Sequence, residues 1–194
     1  MNAIFCTYNG DVLGIDNKMP WEIVPFSYLR DTEAVKEDLK TFRKITANAS
    51  VVMGRKTWES LNKRILPGRK QHIIITSNPP EPTEYEYINN VIYVTLDKFK
   101  ESFMNESNLW LIGGAKLFEE LIPFCEQVYV SNIEVLPLYN KFDIEDERIT
   151  SADNIFSKLW LSGFSKVHDL ARCKYVDNDK ASYQSNVWFK DYRK

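Results

Sequence analysis

The sequence predicts an α/β protein built on a largely parallel sheet. Five segments rich in β-branched and aromatic residues are almost continuously apolar, as expected for strands that are covered on both faces. Segments with helical patterns alternate with them, which indicates βα units with right-handed crossovers. The five segments are AIFCTY (3–8), SVVMG (50–54), HIIITS (72–77), VIYVT (91–95) and LWLIG (109–113).

Three further strand candidates follow in the second half of the chain. QVYVSNI (127–133) is a sixth apolar run, and FSKVHDLARC (164–173) and SYQSNVWFKDY (182–192) lie near the C-terminus. The last of them alternates apolar with polar residues, which fits an antiparallel strand at one edge of the sheet.

Four segments carry helical patterns. In residues 33–46, Leu39, Phe42 and Ile45 recur at a spacing of three to four residues and form the expected apolar face. The other three are TWESL (57–61), DKFKESF (97–103) with Asp97 as its expected cap, and AKLFEELI (115–122).

The polar segments 77–90 and 137–154 are predicted to be surface connections rather than domain linkers. The sequence therefore predicts that residues 1–194 form one domain.

Composition narrows the class of protein. A net charge of -2 gives no sign of a nucleic-acid-binding surface. The three cysteines are widely separated, with no C-x-x-C pair, so neither a metal site nor a disulfide framework is expected. The N-terminus lacks the basic start of a signal peptide, and no apolar run approaches the roughly 20 residues that span a bilayer. These features predict a cytosolic, or at least intracellular, protein.

The glycines adjoin strands. Of the seven in the chain, Gly14, Gly54, Gly68, Gly113 and Gly114 lie beside predicted strands, whose C-terminal ends form the binding crevice of an open α/β sheet. The adjacent pair immediately precedes a predicted helix, where free N–H groups favour a phosphate. Neither G-x-G-x-x-G nor G-x-x-x-x-G-K-[ST] is present. A tight turn is the alternative explanation for each glycine.

Charged side chains suggest where anions would bind. Arg55 and Lys56 fall in the first turn of a predicted helix, where positive charge opposes the helix dipole. A bound anion would remove that conflict, but two solvated side chains explain the pattern equally well. Arg69, in LPGRKQH (66–72), is either a carboxylate clamp or an exposed arginine.

Asp38 is the candidate acid. It precedes Phe42 and Ile45 by four and seven residues and therefore shares the apolar face of its helix. A carboxylate facing an apolar pocket should have a raised pKa. Periodicity alone nevertheless favours a solvent-facing acid of the first turns, as Glu33 and Glu37 illustrate.

A loop with Pro20 and Trp21, GIDNKMPW (14–21), precedes that helix. The loop could close over a binding site, or Trp21 could simply anchor it to the core.

Together these segments resemble dihydrofolate reductase. The motifs run in the order of that family across residues 3–133, whereas the C-terminal strands match more loosely. They are VLGIDNKMPW, EDLKTFRKIT, VVMGRKTWESL, LPGRK, LWLIGGAKLFEEL and VYVSNI.

The resemblance implies a fold and a reaction. The fold is a central eight-stranded, mostly parallel sheet with an antiparallel C-terminal edge strand and helices on both faces. The reaction is the reduction of 7,8-dihydrofolate to 5,6,7,8-tetrahydrofolate by hydride transfer from NADPH, in support of one-carbon metabolism and thymidylate synthesis. The implied partners are these two small molecules, with no nucleic acid or membrane, and the protein is expected to be a monomer.

The resemblance also implies the catalytic residues. Asp38 matches the acid that binds the pteridine and promotes protonation at N5, and Ser131 matches the hydroxyl that supports this carboxylate. Trp21 belongs with Met19 to the mobile loop over the nicotinamide.

The implied substrate-binding residues are Ile4, Cys6, Asp38, Leu39, Phe42, Arg69, Ile112 and Ser131. Among them, Ile4 and Ile112 present backbone carbonyls to the pteridine amine, and Phe42 packs against the substrate. Arg69 grips the α-carboxylate of the glutamate.

The implied cofactor-binding residues are Cys6, Ile15, Met19, Gly54, Arg55, Lys56, Thr57, Thr76, Ser77, Ile112, Gly113, Gly114, Ala115, Lys116, Leu117 and Phe118. Arg55 is expected near the 2′-phosphate of NADPH, and Thr57 and residues 113–117 near its pyrophosphate. Phe118 stands where some members carry tyrosine. A cis peptide between Gly113 and Gly114 is expected, and no metal is.

Two segments depart from the family pattern. An insertion at about 22–36 separates Trp21 from Asp38, so that Glu33 and Glu37 are alternative acids. The spacing D-L-x-x-F-R-x-x-T fits the family only when it begins at Asp38. YNKFDIEDE (139–147) differs from the loop that the family usually has after the sixth strand.

Two other functions remain open at this point. A pyrimidine reductase of riboflavin synthesis shares a similar fold and NADPH, but it needs neither the D-L-x-x-F helix nor Arg69. A folate- or nucleotide-binding module without activity is the other, although it would have no reason to keep both Asp38 and Ser131.

Overall fold

The computed structural model describes residues 1–23, 26–135, 148–172 and 181–191. Its strands are Asn2–Tyr8 (β1), Val12–Ile15 (β2), Ser50–Gly54 (β3), Gln71–Ile75 (β4), Val91–Val94 (β5), Leu109–Gly113 (β6), Gln127–Val135 (β7), Ile149–Ser151 (β8), Phe164–Arg172 (β9) and Ala181–Lys190 (β10). Its α-helices are Glu33–Ile45 (α1), Arg55–Ser60 (α2), Glu84–Ile88 (α3), Leu96–Ser102 (α4), Ala115–Leu121 (α5) and Asp153–Leu161 (α6). Short 3-10 helices span Pro20–Glu22, Phe26–Asp31 and Ile122–Phe124.

The strands form one sheet with a central path of eight, in the order β5-β4-β3-β6-β1-β7-β10-β9. The pairs from β5 to β7 are parallel, and β10 pairs antiparallel with both β7 and β9. The predicted α/β class, the eight-stranded sheet and the antiparallel C-terminal strands are therefore confirmed. The segment 182–192, predicted as the edge strand, is not at the edge: it forms β10, which lies between β7 and the outermost strand β9.

Helices cover both faces of the sheet, as predicted. Alternate residues of β1 show this, since Ala3 and Phe5 pack in one apolar cluster with Phe99 of α4 and Phe118 of α5. Their neighbour Ile4 points to the opposite face, where it packs with side chains of α1. This opposite face, beneath α1 and α2, carries the candidate site.

One predicted helix cap is wrong, and one predicted surface connection contains a short helix. Helix α4 begins at Leu96 rather than at Asp97, because the Thr95 hydroxyl accepts the Lys98 N–H at 3.3 Å. The segment 77–90 is also not wholly irregular, because it contains α3. Thr83 and Glu86 form a capping box there, and this T-x-x-E spacing was the available sequence signal.

Strands β2 and β8 and helix α6 were not predicted either. Strands β2 and β8 pair with each other beside β1, and α6 packs Ile155 and Leu159 into the cluster beneath α4 and α5. The departing loop YNKFDIEDE and Cys173 lie outside the described residues, as does most of the predicted connection 137–154.

The insertion before Asp38 contributes to the core. Within it, Leu29 is fully buried in the cluster that contains Trp21 and Val35. Thr32 caps α1, because its hydroxyl accepts the Val35 N–H at 3.4 Å and donates to the Leu29 carbonyl at 2.7 Å. The insertion therefore fixes where α1 begins, one and a half turns before Asp38.

Candidate active site

Asp38 is buried on the inner face of α1. Only 8% of the residue is exposed, and it shares this face with Ala34 and Val35. The solvent-facing alternative that periodicity favoured is therefore wrong for Asp38. The apolar face predicted from Leu39, Phe42 and Ile45 is not the buried face of α1. Leu39 is 44% exposed, and Phe42 and Ile45 are only partly buried.

The Ser131 hydroxyl lies directly beneath this carboxylate. It donates a hydrogen bond to Asp38 Oδ1 at 2.5 Å, across 93 residues of sequence. Burial raises the pKa of Asp38, and the hydrogen bonds from Ser131 and Cys6 oppose part of that rise. The structure thus brings together the predicted acid and its predicted support in a site that favours the protonated form.

Apolar side chains lie beside the carboxylate. Ile4 of β1, Phe42 of α1 and Ile112 of β6 belong to one cluster, so three elements converge there. Cys6, two residues after Ile4 on the same side of β1, is also buried. These residues form an apolar surface next to a carboxylate, a composition typical of small-molecule sites.

Arg69 reaches this surface from the loop before β4. Its guanidinium lies 5.1 Å from the centre of the Phe42 ring. Nε and Nη2 both donate to the Thr46 hydroxyl, at 3.0 and 2.6 Å, and Nη1 donates to the Pro67 carbonyl at 2.6 Å. Arg69 is therefore held in place beside the cluster rather than extended into solvent. Thr46, which orients it, was not among the predicted residues.

The loop after β2 is fixed at both ends. Ile15 and Lys18 exchange two backbone hydrogen bonds of 2.9 Å. The Met19 N–H donates to Glu22 Oε2 at 3.0 Å, and Trp21 is buried in the core cluster. The alternative in which Trp21 anchors its loop is confirmed; a catalytic contribution of Trp21 stays a prediction.

The C-terminal ends of three adjacent strands carry the other predicted residues. Gly54 of β3 pairs with Ile75 of β4, and Gly113 of β6 pairs with Met53 of β3. Ile75 is followed by a buried Thr76 and an exposed Ser77. Helix α2 begins directly after β3, and helix α5 begins after β6 with only Gly114 between them.

The glycine pair packs against α2. The Gly113–Gly114 peptide is cis, as predicted, and Gly113 has φ +147°. A Cβ at either glycine would lie 3.1 Å from the Thr57 hydroxyl oxygen, closer than an ordinary contact. Glycine is therefore required by the approach of the two helix starts as well as by the backbone angle.

The side chains around these helix starts differ in exposure. Ala115 and Leu117 are partly buried, Lys116 is exposed, and Phe118 is fully buried against Phe5 at 5.1 Å between ring centres. Phe118 therefore belongs to the opposite face of the sheet, which removes its side chain from the predicted cofactor contacts. Lys56 is exposed.

Arg55 has a partner within its own helix. Its Nη1 donates to both Glu59 carboxylate oxygens, at 2.7 and 2.9 Å, and both side chains are about half exposed. The i,i+4 spacing of this pair was the sequence signal for Glu59, which was not predicted. The Glu59 carboxylate offsets the unfavourable positive charge of Arg55 at the helix start without a bound anion. The position of Arg55 alone therefore does not establish a phosphate site.

The fold and the site define a class of protein: an α/β protein with a largely parallel sheet and, beneath α1, a buried carboxylate beside apolar side chains. Among the residues described, no group of three or more histidine, cysteine or acidic side chains is arranged to hold a metal. None of the described helices is long and apolar enough to cross a membrane.

Comparison with known proteins identifies the family. A family model described as dihydrofolate reductase matches residues 1–143. The dihydrofolate reductase of Bacillus subtilis is 32% identical over 133 residues, which cover 69% of this chain and 68% of that protein. The dihydrofolate reductase of Buchnera aphidicola subsp. Acyrthosiphon pisum is also 32% identical, over 124 residues that cover 64% of this chain and 66% of the relative.

A solved structure shares the fold. Dihydrofolate reductase from Enterococcus faecalis, complexed with NADP(H) and RAB-propyl, superposes with a TM-score of 0.66 at 23% identity. The superposition covers 98% of this chain and 95% of that one. The chain belongs to the dihydrofolate reductase family.

Proposed function

We propose that this chain reduces 7,8-dihydrofolate to 5,6,7,8-tetrahydrofolate with NADPH as the hydride donor. The observation that carries the proposal is the hydrogen bond between Ser131 and the buried carboxylate of Asp38. Family membership supplies the reaction, and this pair supplies the one ionisable group that the reaction needs beside its substrate.

Asp38 is the group that manages the proton. Burial raises its pKa, so that it holds a proton closer to neutral pH than an exposed aspartate does. Ser131 donates to one carboxylate oxygen, which leaves the other available to the pteridine. We infer that Asp38 orients the pteridine and promotes protonation at N5.

The remaining cleft residues position the substrate. Ile4, Phe42 and Ile112 form the apolar surface on which the pteridine and its ring substituent would pack. Arg69, held by Thr46 beside Phe42, presents a guanidinium to the glutamate carboxylate. Leu39, exposed in the middle of α1, would become covered by substrate.

The strand ends fit NADPH. Thr57 packs against the glycine pair, where a Cβ would lie 3.1 Å from its hydroxyl oxygen, so the starts of α2 and α5 lie close together beside the proposed cofactor. Arg55 would meet the 2′-phosphate and would exchange Glu59 for it. When bound, the nicotinamide supplies a hydride. The chain contributes orientation through Ile15, Met19 and Gly113 and excludes water through the loop that Trp21 anchors.

We also infer a single domain that acts as a monomer in the cytoplasm. One continuous sheet includes strands from Asn2 to Lys190, and every proposed site residue lies in this one chain. The two described cysteines, Cys6 and Cys125, are free thiols, which suits a reducing compartment. Gel filtration of the purified protein tests the monomer.

The reductase proposal is tested by mixing the purified chain with NADPH and dihydrofolate and following the loss of nicotinamide absorbance. We expect oxidation that requires both compounds and stops when an antifolate is added. A protein that binds NADPH but oxidises it only with a pyrimidine substrate, or with neither, would contradict the proposal.

A further inference from the structure

Cys6 contacts the catalytic pair from the neighbouring strand. In the parallel pairing of β1 with β7, Cys6 lies directly opposite Ser131. Both side chains point towards α1, and both are buried, with exposed fractions of 8% and 2%. Since the Ser131 hydroxyl reaches Asp38 at 2.5 Å, the carboxylate lies over this pair of side chains.

The Cys6 thiol has one proton, which it donates to the carbonyl oxygen of Thr7 at 3.5 Å from Sγ. The Asp38 carboxylate is the alternative acceptor, because it is hydrogen-bonded to Ser131, the residue directly opposite Cys6. A hydrogen bond to a charged acceptor is roughly twice as strong as one to a neutral acceptor. The thiol proton should therefore turn to Asp38 whenever Asp38 is ionised.

The thiol stays protonated over the range in which Asp38 titrates. Burial and then the charge of Asp38 raise the pKa of Cys6 well above its ordinary value. Cys6 is therefore a neutral donor here and neither a nucleophile nor a second negative charge.

Few other groups act on Asp38. The titratable side chains that the elements packed on α1 carry on this face are phenols: Tyr8 from β1, Tyr28 from the 3-10 helix 26–31, Tyr129 from β7 and Tyr183 from β10. Burial raises the pKa of Tyr8 to about 12, so it stays neutral. Burial, Ser131 and Cys6 account for the pKa of Asp38, with no contribution from a charged side chain among the described residues.

We propose that Cys6 is a positioning residue whose thiol donates a hydrogen bond to Asp38 and thereby favours the ionised carboxylate. Ser131 and Cys6 then act as two donors on adjacent strands, and both oppose the effect of burial. This inference rests on the proposed reductase function, because it assigns a role in setting the pH range of that reaction.

The test compares four variants by two measurements. Cys6→Val and Cys6→Ala remove the donor, the first with a larger side chain and the second with a smaller one, so that a change of volume does not account for a shift common to both. Cys6→Ser keeps a donor, and Cys125→Ala removes a second buried thiol, which bonds to the Leu121 carbonyl on the other face of the sheet. The measurements are the titration of the Asp38 carboxyl by 13C NMR in the unliganded protein and the pH profile of dihydrofolate reduction.

We expect both apolar variants to raise the Asp38 midpoint by about half a pH unit, since a thiol is a weak donor. Because the reaction needs a proton from this site, its rate should then fall at a pH higher by the same amount. Cys6→Ser should restore the original midpoint or lower it, and Cys125→Ala should leave it unchanged.

A midpoint that stays in place in both apolar variants, or one that moves equally in the serine variant, would show that Cys6 only fills space. A Michaelis constant that changes without any shift in either pH measurement would lead to the same conclusion. If the unmodified protein titrates normally but does not reduce dihydrofolate, the proposed function fails while the NMR comparison still decides the role of Cys6.

Discussion

Ser131 Oγ and Asp38 Oδ1 lie 2.5 Å apart and join the middle of α1 to the strand beneath it. The bond satisfies one oxygen of a carboxylate that is otherwise buried among apolar side chains. An unpaired carboxylate at this depth would be costly to fold. The pair therefore makes an acid with a raised pKa tolerable in the native state.

Replacing Asp38 by Asn should remove the proton-managing group and keep its shape. We expect dihydrofolate reduction at pH 7 to fall by about 10²- to 10⁴-fold, the usual contribution of acid–base catalysis. NADPH affinity, measured by fluorescence titration, should stay close to that of the unmodified protein. Glu37→Gln is the matched control on the same helix and should leave the rate intact. Near-normal turnover of Asp38→Asn would remove Asp38 from catalysis.

The same variant should be more stable than the unmodified protein at neutral pH. Because burial raises the pKa of Asp38 in the folded state, the native protein binds this proton more tightly than the unfolded chain, whose value is about 3.9. Stability is therefore lost as the pH rises from about 4 through the folded pKa. Asn does not ionise, so the difference in unfolding free energy should grow over that interval. Urea titrations at several pH values measure it, and a constant difference would contradict the raised pKa.

Arg55→Ala should discriminate between the two nicotinamide cofactors. If Arg55 binds the 2′-phosphate, its loss should lower the affinity for NADPH by about 10- to 100-fold, the value of a charge-assisted hydrogen bond. The affinity for NADH, which has no such phosphate, should change little. Glu59→Gln removes the present partner of Arg55 and should not weaken NADPH. Equal losses for both cofactors in Arg55→Ala would exclude a role in phosphate recognition.

Gly113→Ala should destabilise the fold and weaken NADPH. The new Cβ would lie 3.1 Å from the Thr57 hydroxyl oxygen, and φ +147° is unfavourable for alanine. We expect a loss of about 1–3 kcal/mol in thermal or urea unfolding. Gly10→Ala provides the control, because Gly10 also has positive φ but nothing within 4 Å of its Cβ position. A smaller loss for Gly113→Ala than for Gly10→Ala would show that the contact with Thr57 is unimportant.

His72 should make the fold sensitive to mild acid. Its Nε2 accepts the Leu66 N–H at 2.9 Å, and burial, followed by the charge of Arg69, lowers its pKa to about 4. The unfolded histidine titrates near 6.5, so stability is lost as the pH falls through the interval from about 6.5 to about 4. Over this interval the free energy of unfolding should fall by about 3 kcal/mol. His72→Gln keeps an acceptor without a titrating group and should flatten this part of the profile; an unchanged slope would assign it to another residue.

Local sequence predicted the site where spacing and chemistry coincide. The D-L-x-x-F-R-x-x-T pattern placed Asp38 on the correct face of α1, and the glycine pair marked the start of α5. Periodicity failed for Leu39, because α1 buries Ala34, Val35 and Asp38 in its first half, whereas no residue from 39 to 45 is buried. The resemblance, rather than periodicity, put Phe118 among the cofactor contacts, whereas its side chain packs against Phe5 on the other face of the sheet.

The sequence by itself determined the order of strands and helices, the glycines at the strand ends and the family to which the chain belongs. These features depend on residues that are close together in the sequence, so their spacing can be read from the sequence directly. Tertiary structure decided which side chains meet: Asp38 with Ser131, Cys6 beside both of them, Arg69 with Thr46, and Thr57 with the glycine pair. Such contacts depend on strand pairing and helix packing across tens of residues, and burial rather than residue type then sets the pKa of Asp38.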